Sequence, residues 1–184
     1  MVFTWIIIGV AVFIGLLFFI YYNRFNIFEN RIDNSLSQID VQLKRRADLI
    51  PNLIETVKGY VKHEKSAIKA VTEARKALVS AKDVVGKVKA NDQLQSALKT
   101  IFAIAEGYPD LKANTNFLEL QKELSSTEDR VAYARQYYND SILTYNNLCK
   151  TFPGKFFSGI YGRKSREYLK IAEAEKKNVK VSFG

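Results

Sequence analysis

The chain reads as an all-α protein: an N-terminal transmembrane helix that continues into an antiparallel bundle of three to four long helices. Three observations predict this. The first twenty-three residues carry no charged side chain. Beyond them, apolar residues recur at steps of three and four, the period of a helix face. Strand signals are almost absent, so packed helices are the architecture left.

The anchor comes first. Val2–Tyr22 (VFTWIIIGVAVFIGLLFFIYY) is apolar or aromatic almost throughout. As a helix it spans about 31 Å, which matches the ~30 Å hydrocarbon core of a bilayer. No base precedes Trp5, and the run ends without a small-residue cleavage site, so a retained span is expected rather than a leader. Trp5 at one end and Tyr21 and Tyr22 at the other are placed for the two membrane interfaces, with Arg24 just beyond. Arg31, Lys44, Arg45 and Arg46 follow on the same side. The positive-inside bias then predicts a single-pass protein of the plasma membrane, amino terminus outside and body cytoplasmic.

The body holds one long seam: Ile32, Leu36, Ile39, Leu43, Ala47, Ile50, Ile54, Val57, Val61, then Ile68, Val71 and Leu78. Pro51 falls inside it, and proline in a helix interior costs about 3 kcal/mol. The register passes through unbroken, which predicts a kinked, continuous helix, two helices sharing a face being the alternative. A second, shorter helix is expected over Asn91–Glu106, with Asn91 as N-cap and Gly107 closing the end. Tyr108-Pro109-Asp110 forbids continuation and forms a turn capped by Asp110. The third helix starts near Asn114 or Thr115 and runs through Phe117, Leu124, Val131, Ile142 and Leu148 until Pro153-Gly154 stops it. It would be about 55 Å long against about 24 Å for the second. Covering the longer seams therefore calls for the tail, the 81–90 segment or another copy of the protein, and self-association is expected. The domain reading is 1–23 anchor, 24–154 helical bundle, 155–184 basic tail.

Composition narrows the chemistry. The 184 residues carry a net charge of +9, which suits anionic phospholipid, nucleic acid or simply a solvated basic surface. One cysteine, Cys149, permits no intramolecular disulfide and agrees with a reducing compartment. His63 is the only histidine and has no second ligand at metal spacing, so no metal and no cofactor is expected. No phosphate-cradling glycine motif occurs, and neither Cys149 nor the carboxylates Glu106 and Asp110 have a nucleophile–base partner. The chain reads as non-enzymatic.

Several stretches carry a resemblance. QLKRRADLIPNLIETVKGYVKHE at 42–64, VTEAR at 71–75 and EGYPDLKANTNF at 106–117 lead it. LQKELSSTEDRVAYARQYYNDSILTYN at 120–146, FPGKFF at 152–157 and VKVSF at 179–183 complete it. In this order, after an N-terminal anchor, they resemble the LemA family over most of the soluble body. The resemblance implies a single-pass membrane protein with a cytoplasmic helical bundle, and the family brings no settled biochemical activity with it. Gly107 and the strongly basic 161–178 segment depart from the family's usual pattern.

Candidate interaction residues remain. Lys44, Arg45 and Arg46, just before Asp48, are expected to pair with Asp140 or Glu128 rather than with lipid. On a straight helix they would stand about 30 Å beyond the membrane, well past a Debye length of about 8 Å. Asn139 and Asn146, seven apart, share one face and are expected to set helix register. In the tail, Lys155, Phe156, Phe157, Arg163, Lys164 and Arg166 form a basic–aromatic group with two open readings: contact with an anionic bilayer, or packing against the bundle with Val179–Phe183 docking at its end. The functional expectation is a membrane-anchored scaffold or adaptor that self-associates, in membrane organisation or stress response, with a membrane protein such as a protease as partner. Basic binding to nucleic acid or anionic lipid is the alternative, and the absence of a groove-reading motif disfavours nucleic acid.

Overall fold

A computed structural model describes residues 1–61 and 63–169. Among these, six helices and no strand occur: α1 (Val2–Tyr60), α2 (Lys65–Ser80), α3 (Val84–Ala105), α4 (Pro109–Lys112), α5 (Thr115–Lys150) and α6 (Gly154–Ile160). The chain is all-α. It forms two compact units, 1–37 with 135–168, and 38–134 with Leu169. Both α1 and α5 contribute to each unit.

α1 continues without a break through Asn23 and through Pro51. Proline lacks the N–H that would bond the carbonyl four residues back. That carbonyl belongs to Ala47, and Arg75 Nε donates to it at 2.8 Å. The guanidinium of α2 thus replaces the missing donor, and the helix tolerates its proline.

The seam does not continue as one helix to Leu78. α1 stops at Tyr60, and α2 restarts at Lys65, burying Ala67, Val71, Ala74 and Leu78. Periodicity is blind to this reversal because both helices bury the same stripe. On α1 the buried position is Leu53, at 1% exposure, with Ile54 only half-buried.

α3 is also longer than expected. Its N-cap is Asp83, whose carboxylate accepts the Gly86 N–H at 3.1 Å. A Cβ at position 86 would lie 2.9 Å from Asp83 Oδ1, so glycine lets the cap close. Asn91 is therefore not a cap but a fully buried mid-helix residue. α2 and α3 pack against each other. Asp110 is not a cap either: Tyr108 is the N-cap of α4, Pro109 opens the helix and Asp110 lies in its first turn. Asn114 starts α5, its Oδ1 accepting the Phe117 N–H at 3.0 Å.

In the other unit, Phe25, Ile32, Ile142, Tyr145, Leu148, Cys149 and Phe157 form one core cluster. Gly154 makes it close. A Cβ there would sit 2.1 Å from the Leu148 carbonyl oxygen. α6 ends at Ile160, and just beyond it Gly162 takes φ +66°, with the Arg163 N–H bonding the Ser158 carbonyl at 2.8 Å and the Gly162 N–H the Gly159 carbonyl at 3.3 Å. This paired closure, with glycine in the left-handed region, reverses the chain toward α1.

Candidate functional site

Among the described residues, two polar centres and one apolar segment are candidates for function. The segment is the start of α1, which is long and apolar enough to cross a membrane. Its residues are exposed up to Leu16, leaving their side chains free to face lipid. Trp5 is 72% exposed. Tyr21 stacks on Phe157 at 4.4 Å, and Tyr22 meets Tyr161 edge-on at 5.7 Å. The Arg24 guanidinium lies 5.8 Å from the Tyr21 ring centre.

The first polar centre forms around Glu29. Its Oε1 accepts the Tyr145 hydroxyl at 3.1 Å, and its Oε2 accepts Arg163 Nη1. Arg163 also donates to Asn26 Oδ1 at 2.9 Å. Arg166 pairs with Glu29 and Asp33, each at 3.6 Å, and its guanidinium lies 5.6 Å from the Tyr145 ring centre. Asn146 clamps the same residue by its backbone: Oδ1 accepts the Arg166 N–H and Nδ2 donates to the Arg166 carbonyl, both at 2.8 Å. Burial pushes the Tyr145 phenol upward, and the neighbouring Cys149 and Glu29 add to the shift. Burial raises the Cys149 thiol as well, which disfavours its nucleophilic thiolate.

The tail residues assigned to lipid therefore separate. Phe157 is buried in the core cluster, and Arg163 and Arg166 are engaged by Glu29. For these three, packing against α1 replaces lipid contact, because the turn at Gly162 aims the bases at a carboxylate. Lys155, Phe156 and Lys164 remain exposed. The bases from Lys170 onward and the Val179–Phe183 docking lie outside the described residues.

The second polar centre belongs to the 38–134 unit. Arg46 is 3% exposed and pairs with Glu128, while its Nη1 donates to Asn91 Oδ1 at 2.8 Å. Burial lowers its pKa to about 10, and the charge of Asp92 works against that fall, so it stays a cation at neutral pH. Arg46 Nε and Gln42 Oε1, one turn apart, are buried without a hydrogen-bond partner. Arg45 is exposed and pairs with Glu123 at 3.2 Å. Lys44 and Asp48 are exposed and line a groove of about 390 Å³ with Leu43, Ala47, Arg75 and Leu78. Asp140 is exposed and Asn139 half-buried; of the asparagines proposed to set register, only Asn146 is fully buried.

Glu29 was not singled out from sequence, and Asn91 was read only as an N-cap. A signal for Glu29 existed, since Asn26, Glu29 and Asp33 at steps of three and four share one helix face. Asn91 offered none, because a buried asparagine and a capping one look alike in sequence. Among the described residues, no group of three or more histidine, cysteine or carboxylate side chains could hold a metal ion.

The profile of the LemA family matches residues 35–183. This chain belongs to the LemA family. Protein LemA of Metamycoplasma hominis is 29% identical over 143 residues, covering 76% of this chain and 65% of that protein. The magnetosome protein MamQ of Magnetospirillum gryphiswaldense is 25% identical over 174 residues, covering 80% and 64%. MamQ 2 of Paramagnetospirillum magneticum is 24% identical over 189 residues, covering 89% and 69%. The chain thus spans slightly under two thirds of the length of the first two relatives. LemA-family membership and an apolar helix of membrane-crossing length stand together in one chain.

Proposed function

We propose that this LemA-family protein is a membrane-anchored, non-enzymatic scaffold or adaptor, which presents its helical body to partners at the cytoplasmic face of the plasma membrane. The observation that carries the reading is α1 itself. The membrane-length segment passes Asn23 without a break, and within a few residues the same helix is packed by Phe25 and Ile32 into a protein core. An anchor followed by a loose tether would allow the body to tumble; this anchor is seated in it. The Glu29 centre then ties Arg163 and Arg166 to the same helix.

Self-association belongs to this proposal. Val79 and Val85, on either side of the α2–α3 connection, are 65% and 67% exposed and offer an apolar face for a second copy or another partner. A role in membrane organisation is part of the same proposal. Crosslinking in native membranes followed by sizing of the purified assembly tests both parts. Recovery of a defined partner or a discrete homo-oligomer supports the scaffold. A detergent-solubilised protein that is monomeric by mass and crosslinks to nothing refutes it.

A further inference from the structure

We propose that α6 is a second membrane contact, in which Phe152, Phe156 and Ile160 enter the bilayer interface beside the end of the α1 span. The inference rests on α1 crossing the membrane, and it adds a monotopic element to that anchor.

Depth is set by protein contacts. Phe157 meets Phe18 edge-on at 5.0 Å and stacks on Tyr21, and the Tyr161 hydroxyl donates to the Phe18 carbonyl at 2.7 Å. Phe18 lies one turn before Tyr22, about 6 Å into the apolar run. α6 is therefore held against the last turns of the span, at a depth where interfacial helices bury their apolar faces by about 5–10 Å.

Its outward side suits that position. With Phe157 and Tyr161 turned to α1, Phe156 and Ile160, one turn apart, point elsewhere at 59% and 51% exposure. Phe152, just ahead of the helix, is 89% exposed. Three large apolar side chains this close together are costly in water and suited to acyl chains. The charge pattern agrees: residues 151–166 contain four bases and no acid. Arg163 and Arg166 are held by Glu29, and Lys155 and Lys164 are left exposed to meet anionic headgroups. Aromatics at the boundary and lysines at its rim are the arrangement an interface selects.

The test uses the full chain in phosphatidylcholine–phosphatidylglycerol vesicles carrying brominated acyl chains, which quench tryptophan in contact with them. Trp5 is the only native tryptophan, so the unsubstituted protein reports the span. In a Trp5→Phe background, Phe156→Trp and Ile160→Trp report α6. Tyr137→Trp, exposed and about 16 Å along α5 from Leu148, reports the aqueous side. Both α6 probes should lose emission to a degree comparable with Trp5, while the Tyr137→Trp probe keeps its own. Quenched Trp5 with α6 probes as bright as the Tyr137→Trp probe would overturn the inference and leave the anchor standing. Unquenched Trp5 would overturn both. Unchanged helical circular dichroism in each variant shows that the probes report position rather than unfolding.

Discussion

Both compact units hold arginine against a glutamate, but in very different surroundings. In the 38–134 unit Arg46 is almost sealed, and burial brings its pKa down to about 10 against the opposing pull of Asp92. In the other unit Arg163 and Arg166 keep 27% and 39% of their side chains exposed, and both converge on Glu29. The sealed guanidinium has much to lose: without Glu128 it is a buried charge with few substitutes, and without Arg46 the Glu128 carboxylate, 19% exposed, loses its partner. The shared carboxylate is more forgiving: water still reaches its partners, and screening limits what each pair contributes. Burial, rather than the number of ion pairs, decides which centre the fold depends on.

The largest effect should come from Arg46→Ala, which strands Glu128 and Asn91 and lowers unfolding free energy by about 3–4 kcal/mol. Denaturant unfolding of the detergent-solubilised protein would show it, and replacing Arg46 and Glu128 together by methionine should recover most of the loss. If the single variant costs no more than a surface substitution, the contrast between the centres is wrong.

Glu29→Gln comes next. It keeps an acceptor for Tyr145 but removes the charge facing two arginines, with an expected loss of about 1–2 kcal/mol after allowance for their exposure. The loss should shrink at high salt, unlike that of Arg46→Ala.

Alkaline pH offers a way to separate the units. The Tyr145 phenol titrates higher in the folded than in the unfolded chain, chiefly through burial. Its contribution is fully present below the ordinary tyrosine pKa of about 10 and is lost as pH rises through the folded value. Tyr145→Phe should therefore flatten the alkaline decline in stability. An unaltered pH profile would remove Tyr145 as its source.

Arg75→Ala should have the smallest effect, about 1 kcal/mol, by leaving the Ala47 carbonyl without its donor. Pro51→Ala restores a backbone N–H to that carbonyl, so the Arg75 substitution should cost less in that background. Additive costs in a double-mutant cycle would show that Arg75 does not compensate for the proline.

Some of this was legible in the residues. The start of α5 at Asn114 is both a turn signal and the observed cap, because an asparagine side chain satisfies the same backbone donors in any context. Asn91 misled for that very reason. Its side chain could cap a helix or, as it does, hold a buried guanidinium, and only the position of Arg46 on another helix chooses. The tail divided likewise. Phe156 and Phe157 are adjacent and chemically identical, yet one is exposed and the other buried, since the orientation of α6 depends on Gly154 meeting the Leu148 carbonyl.

By itself, the sequence determined the helical class, the charge-free membrane-length run and the seam through Pro51, since each follows from local periodicity and from the energetics of transfer from water. Only the tertiary structure decided where α1 ends, which carboxylate each arginine meets and which face of α6 is left open. Those outcomes depend on side chains far apart in sequence, and periodicity carries no information about distant partners.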